Sequence, residues 1–552
     1  MDQKGGRIGA SDIVKKYDYF IIFLLSFLYV RWELLWRGSG VSVTLFALLF
    51  CGFTALRMGP VNEQRRKAAR PWLAVTAVSA LQAAVWDDTP VSWFNFLFLS
   101  ICAMYWMMVL SGRRLTDRLD GYVLADLFCQ MVRVPFGNMG RSFAFILRFG
   151  SHTKAGNSTA EAASNASVGA EAGAVASSGA SRRNALRSIG WVAGALLMAA
   201  PLLLVVMKLL SAADADFLRI MGTFTDIASR WLDELITVNV MELLLELVIA
   251  LPVAAYLFGA VWGNLRPDEA RGWTEKDRVD RELASLQMFP RIAVYTAVGL
   301  FLTVYLLFLG IQAGHLLSAL GGGLPGTATY SSFAREGFFE LCAVCAINLG
   351  IMAISWLLCA RREGRIPRGL SAMVFLLSLQ TVLLAVTAMV KMGLYIQAYG
   401  LTRLRVYTFW FMIWLLLVFL VLAVARLRTI PAAKLLTVIS VVMFLTLGWA
   451  NVDGIVVREN VARYEGGRMS LEELDVTSLA SLSANGAMEL LGYSQEDAGG
   501  DDRKAALQQE IRQTLRLHSS WWTVGEWEKL TWSKLRFQWK WNAGNKGISH
   551  GA

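Results

Sequence analysis

The chain has 552 residues, 55% of them hydrophobic and 17% charged, with a mean hydropathy of +0.47 and a formal charge of +11. That is more apolar surface than one soluble core can bury, which excludes an ordinary water-soluble domain and calls for lipid to cover much of the chain. The surplus of Lys and Arg gathers in particular loops and no nucleic-acid reading module accompanies it, so nucleic acid is not an expected partner and the charge is a sidedness signal.

Apolar segments recur at about 19–36, 41–57, 71–86, 92–110, 187–210, 238–262, 291–313, 338–360, 370–390, 406–425 and 433–450. Nine are clear, and the third is the shortest. The first is no signal peptide, because Arg31, Trp32, Glu33 and Trp36 follow it in place of a small-residue cleavage site. These runs have helical length, and in lipid only helices or closed barrels satisfy the backbone. The expected fold is therefore all-α, a polytopic transmembrane helix bundle of about eleven spans. Basic clusters at Arg57–Arg70, Arg361–Arg368 and Arg426–Lys434 fall on one side of such a bundle. By the positive-inside rule that side is cytoplasmic, with the N-terminus inside and everything after Asn451 outside.

Five regions follow from composition. Residues 1–111 form a four-span unit. Residues 112–149 alternate apolar and basic groups at near-helical spacing and read either as a cytoplasmic surface helix or as packing under the bundle. Residues 150–186 form an Ala/Gly/Ser-rich linker with too few large apolar groups to fold. Residues 187–450 form a seven-span bundle, with an outer amphipathic helix over Phe217–Leu235. Residues 451–552 form a small extracytoplasmic tail, with helices expected at Asn451–Tyr464, Ser470–Leu482 and Asp502–Leu517. The second of these opens on a capping box, Ser470-x-x-Glu473.

Intramembrane charge is the best functional pointer in such a chain, because each group stands at a cost of roughly 2.5–3.5 kcal/mol unless paired or hydrated. Glu242 and Glu246 open span six, Arg335, Glu336 and Glu340 open span eight, and Lys391 and Tyr395 close span nine. Arg403 and Arg405 precede span ten, and His315 follows span seven. All share the outer third. Asn348 on span eight and Gln380 on span nine extend two polar stripes inward. Spans six, eight and nine are thus expected to surround an outward-facing polar cleft for a ligand or ion, the alternative being a Glu340–Lys391 salt bridge that only fixes helix register. A second expected surface is the tail, where Trp521, Trp522, Trp527, Trp532, Trp539 and Trp541 interleave with Lys and Arg, a composition suited to a headgroup interface or a carbohydrate surface.

Catalytic, cofactor and metal patterns are not legible. Cys342-Ala-Val-Cys345 lies in an apolar helix without neighbouring ligands and reads as small packing residues, and the six cysteines imply no disulfide framework. Gly259-x-x-x-Gly263 permits close helix approach.

Three runs occur in an order that carries a resemblance: Tyr330-Ser-Ser-Phe-Ala-Arg-Glu-Gly-Phe-Phe-Glu-Leu341, Met392-Gly-Leu-Tyr through Arg405, and Asn451-Val-Asp-Gly454 with Asn460, Arg463 and Tyr464. Together they resemble the bacterial multi-pass family catalogued as domain of unknown function four-one-five-three or four-one-seven-three, over roughly Arg187 to Leu491. The resemblance implies a bacterial cytoplasmic membrane protein and supplies no reaction. The family pattern tends to place an acid where Asn485 stands and often has Arg near Lys391, so a charge-dependent role at Asn485 is not carried over. The residues favour a non-enzymatic envelope protein that binds a ligand, lipid or partner over a secondary transporter or ion-coupled permease. An integral-membrane transferase is the third reading.

Overall fold

A computed structural model describes residues 16–34, 40–87, 89–142, 238–266, 271–273, 275–287, 289–320, 338–360, 367–497, 499–522 and 527–546. The linker, span five and the outer helix expected over Phe217–Leu235 lie outside the described residues, as do the loop with Arg335 and Glu336 and the cluster Arg361–Arg365.

The N-terminal helices are α1 Lys16–Tyr29, continued by a π-helical turn Val30–Leu34, then α2 Val41–Met58, α3 Glu63–Val85 and α4 Thr89–Ser111. Short helices α5 Val123–Phe128 and α6 Val134–Asn138 follow, joined by a second π turn. The later helices are α7 Val238–Leu265, α8 Lys276–Leu286, α9 Arg291–Leu320, α10 Phe338–Leu358, α11 Arg368–Tyr399, α12 Arg403–Leu427 and α13 Ala432–Trp449. Eight helices among the described residues are long and apolar enough to cross a membrane, in α2, α4, α7 and α9 to α13. α1 is too short without its π turn, and the first two turns of α3 carry Arg65, Arg66, Lys67 and Arg70 ahead of Pro71.

Three large cores organise these helices, and a small cluster of Val43, Ala47, Ala80, Ala83 and Leu99 joins α2, α3 and α4. Trp32, Phe46, Phe50, Tyr105 and Trp106 pack with Phe258 and Trp262, so α7 belongs with α1, α2 and α4. Its sequence makes it the second span of the expected seven-span bundle, but its small face fits the first unit: a side chain at Gly259 would run into the Pro135 carbonyl of α6, and the Tyr256 hydroxyl donates to the Met131 carbonyl at 2.8 Å. A second core joins α9 to α12 through Leu341, Cys345, Leu377, Leu384, Met412 and Phe419. The Cys345 thiol is buried in that core, as a small packing residue.

The third core is the tail, built from α14 Val452–Glu465, α15 Leu471–Leu474, α16 Val476–Ser481, α17 Ala484–Gln495, α18 Asp502–His518 and α19 Trp532–Lys546 around Val457, Leu490, Ile511 and Phe537. The Ser470/Glu473 capping box forms, but its helix lasts one turn because Asp475 turns left-handed (φ 41°) and then caps α16 by accepting from the Ser478 N–H at 3.0 Å. The tail packs on the ends of the spans that carry Gly40, Asp87 and Gly400. This end is called the tail end below, and the opposite one, with Arg57–Arg70 and Arg426, the basic end.

Candidate functional site

Polar residues expected to share one cleft occupy three separate places. Glu246 on α7 is buried and accepts from the Arg31 guanidinium at 3.0 Å. Depth alone matches it to Glu340 and Lys391, and the packing of α7 against α1 sets it beside Arg31 instead. Arg403 grips the tail: its guanidinium donates to both carboxylate oxygens of Asp453, at 2.6 Å for the Nη2 contact, and to the Leu482 carbonyl. Asp453 is itself buried, so this is a membrane-to-tail ion pair that shields both charges.

The third place is the tail end of α10 to α12, where the structure brings together Glu340, Lys391, Tyr395 and Arg405. Lys391 is 4% exposed, and Glu340, which is exposed, acts on it electrostatically across the α10–α11 contact. One turn further, the Arg405 guanidinium lies 4.2 Å from the Tyr395 ring centre, and the Tyr399 ring packs against Tyr395 at 5.3 Å, tilted by 45°. Arg405 also donates to the Tyr399 carbonyl at 3.0 Å and to that of Gly400, so it caps α11 while closing one side of the group.

Deeper in the bundle, the Asn348 amide donates to the Thr381 hydroxyl at 2.9 Å, which donates to the Leu377 carbonyl at 2.6 Å. The Asn348 Oδ1 is buried with no partner among the described residues. Gln380 leaves this stripe and donates to the Leu302 carbonyl of α9 at 3.1 Å. The side chains of Glu242 and His315, and all of Arg335 and Glu336, lie outside the described residues.

Two of the six tail tryptophans, Trp522 and Trp541, pack on Phe537 in the tail core. Trp521 stacks on His518, and Trp527 meets Trp32 of the first unit edge-on at 5.8 Å. Trp532 and Trp539 stand 59% and 72% exposed.

Sequence reasoning missed Asp87. It sits between α3 and α4, accepts from the Ala484 N–H at 3.0 Å and from the Ser533 hydroxyl at 3.1 Å, and so joins the first membrane unit to α17 and α19. Beside it the Val41 N–H donates to the Leu530 carbonyl at 2.9 Å. Burial pushes the Asp87 carboxyl above the ordinary carboxylate range, while the Ala484 N–H, Lys534 and Ser533 pull it back. The one available signal was that Asp87 and Asp88 are the only charges between spans three and four.

The model of a domain of unknown function, DUF4153, matches residues 73–492. The chain belongs to that family. The match begins inside α3, more than a hundred residues ahead of the Arg187 from which the resemblance ran, so it takes in Asp87, α4 and the linker and ends within α17. The DUF4153 unit therefore holds both partners of the Asp87–Ala484 contact and both partners of the Arg403–Asp453 pair. No curated protein and no solved structure matches the chain.

Proposed function

We infer that the chain is a non-enzymatic protein of a bacterial cytoplasmic membrane, N-terminus inside and tail outside, that recognises a lipid headgroup, ligand or envelope partner from the tail side. The observation that carries this reading is the outer face of α19. Trp532, Leu535 and Trp539 are exposed at helical three- and four-residue spacing, with Arg536 exposed among them, while Ser533 and Phe537 on the other face are buried. Trp449 at the end of α13, Trp93 at the start of α4 and Trp527 are exposed at the same end of the molecule, as in the aromatic belt of a membrane interface. Indole rings among cations suit a zwitterionic or anionic headgroup layer.

The buried Lys391 beside Glu340 is the second part of the reading, an ionisable group held within a span on the same side. A transporter would need that polar stripe to run on to the basic end, and there the lining of α10 to α12 is mostly apolar, with Met352, Trp356, Val418 and Leu422 beside Ser371 and Arg426.

A photoreactive phenylalanine analogue placed at 532, 539 and, as a buried control, 533 tests the α19 face in phosphatidylglycerol/phosphatidylethanolamine bilayers and in native envelopes. Phospholipid or protein adducts at 532 and 539 with none at 533 are expected. Absence of adducts at 532 and 539 in both settings would end the reading.

A further inference from the structure

At the basic end, a cavity of about 310 Å³ opens between α10, α11, α12 and α13, with Leu124 of α5 at its mouth. Its walls are apolar, including Leu349, Met352, Trp356 and Leu422, and Arg426 is the one charged side chain among its lining residues. The Arg426 Nε is buried and has no hydrogen-bond partner among the described residues. Arg426 is half-buried as a residue, and a guanidinium N–H that is itself buried calls for an acceptor. Ser371, in the first turn of α11, lines the same space near the positive end of the helix dipole.

We propose that this cavity binds an anionic phospholipid, its phosphate on Arg426 and the start of an acyl chain along Leu349, Met352, Trp356 and Leu422. Three observations select that occupant. The guanidinium fork matches a phosphate or carboxylate in charge as well as in geometry. Nearly all of the remaining lining is hydrocarbon, which a free phosphate ion would leave unused. The cavity also lies on membrane-spanning helices at the end that carries the basic clusters, where anionic headgroups concentrate. This site lies at the opposite end from α19 and Lys391 and is independent of the tail-side reading.

Native mass spectrometry of the full chain, delipidated in detergent and titrated with phosphatidylglycerol or phosphatidylcholine, tests the proposal. The unmodified chain is expected to retain phosphatidylglycerol preferentially, and Arg426→Gln to lower that retention about tenfold while leaving phosphatidylcholine unchanged, the effect of losing a charge-assisted contact. Ala353→Trp, which fills the cavity, is expected to lower retention of phosphatidylglycerol in parallel. Equal retention of the two lipids by the unmodified chain overturns the proposal, and this comparison stands even if Arg426→Gln does not fold. Displacement of phosphatidylglycerol by millimolar inorganic phosphate, with Ala353→Trp without effect, would identify a free-anion site and also overturn it.

Discussion

Replacing Asp87 tests how the tail is held. In Asp87→Ala the Ala484 N–H at the start of α17 and the Ser533 hydroxyl on α19 both lose their acceptor. Hydrogen bonds to a carboxylate contribute roughly 1.5 kcal/mol each at the lower end of their range, so docking should weaken by about 3 kcal/mol. That corresponds to roughly a hundredfold rise in the local opening constant. Hydrogen–deuterium exchange reads it directly: amides of 484–495 and 530–541 should exchange faster in Asp87→Ala, while α9 to α12 keep their protection. Asp87→Asn keeps an oxygen for Ala484 and an N–H for Ser533 without burying a charge, and should stay within about 1 kcal/mol of the parent. Because burial raises the Asp87 carboxyl above its ordinary value of 3.8, the folded form takes up its proton first on acidification. Docking should therefore strengthen as pH falls from the raised value toward 3.8 and be weakest above it, and Asp87→Asn should abolish that slope. Native exchange in both segments of Asp87→Ala would refute the reasoning. Asp87→Asn as damaging as Asp87→Ala would replace the hydrogen-bond account with one based on charge attraction to Lys534.

Removing Arg403 as Arg403→Met should be harsher, about 3–5 kcal/mol, because Asp453 stays buried without its counter-charge; a thermal midpoint equal to the parent's would count against the pair. Asp126 is buried near the basic end, accepts from the Leu115 N–H at 2.9 Å, and is raised by burial to about 6. Its contribution should fall as pH rises from about 4 to about 6 and level off above, so exchange over 115–128 should be slower at pH 5 than at pH 7.5 after correction for intrinsic rates, and pH-independent in Asp126→Asn. A side chain at Gly448 would collide with Gln82 where α13 meets α3, so Gly448→Leu should loosen the Phe98–Phe444 stack (4.2 Å) and lower the midpoint; an unchanged midpoint would mean that α3 and α13 do not depend on that approach.

The spans were legible because each is an unbroken apolar run and lipid allows one backbone solution for such a run. The tail helices at 452–465 and 502–518 were legible in the sequence, whereas α17 was not: Ser483 caps it, but Asn485-Gly486 in its first turn is a poor helix former, and the acceptor of the Ala484 N–H, Asp87, is 397 residues away. Glu246 shows why sites are harder than spans. Hydropathy fixes the depth of a charged residue and says nothing of its azimuth, and only the contact of α7 with α1 decides that Glu246 meets Arg31. Arg403 is a costly charge beside an apolar run, and its partner Asp453 lies beyond the last such run, in the tail.

The linker divides the sequence into four spans and the rest, but the packing divides it differently. α7 crosses back to α1, and the tail, reached only after α13, returns to Gly40 and Asp87. Each membrane unit is thus anchored to the tail by its own contact, Asp87 to Ala484 on one side and Arg403 to Asp453 on the other, within a single core that contains Val457 and Leu490. The spans of the two units meet near this end, at Gln82 with Gly448 and at Phe98 with Phe444. Toward the basic end α3 and α13 separate around a cavity of about 730 Å³ between Trp72, Val75, Val438 and Val442, rimmed by Arg114, Arg118 and Lys434. What bridges the units there is short and polar: Arg133 to Glu282 at 2.9 Å and Tyr122 to Asp280 at 2.6 Å tie α8 to the α5 region, and α8 in turn reaches α10. A joint that is buried and hydrogen-bonded at one end and held at the other by one part-exposed ion pair and one exposed hydrogen bond is stiffer at the first than at the second.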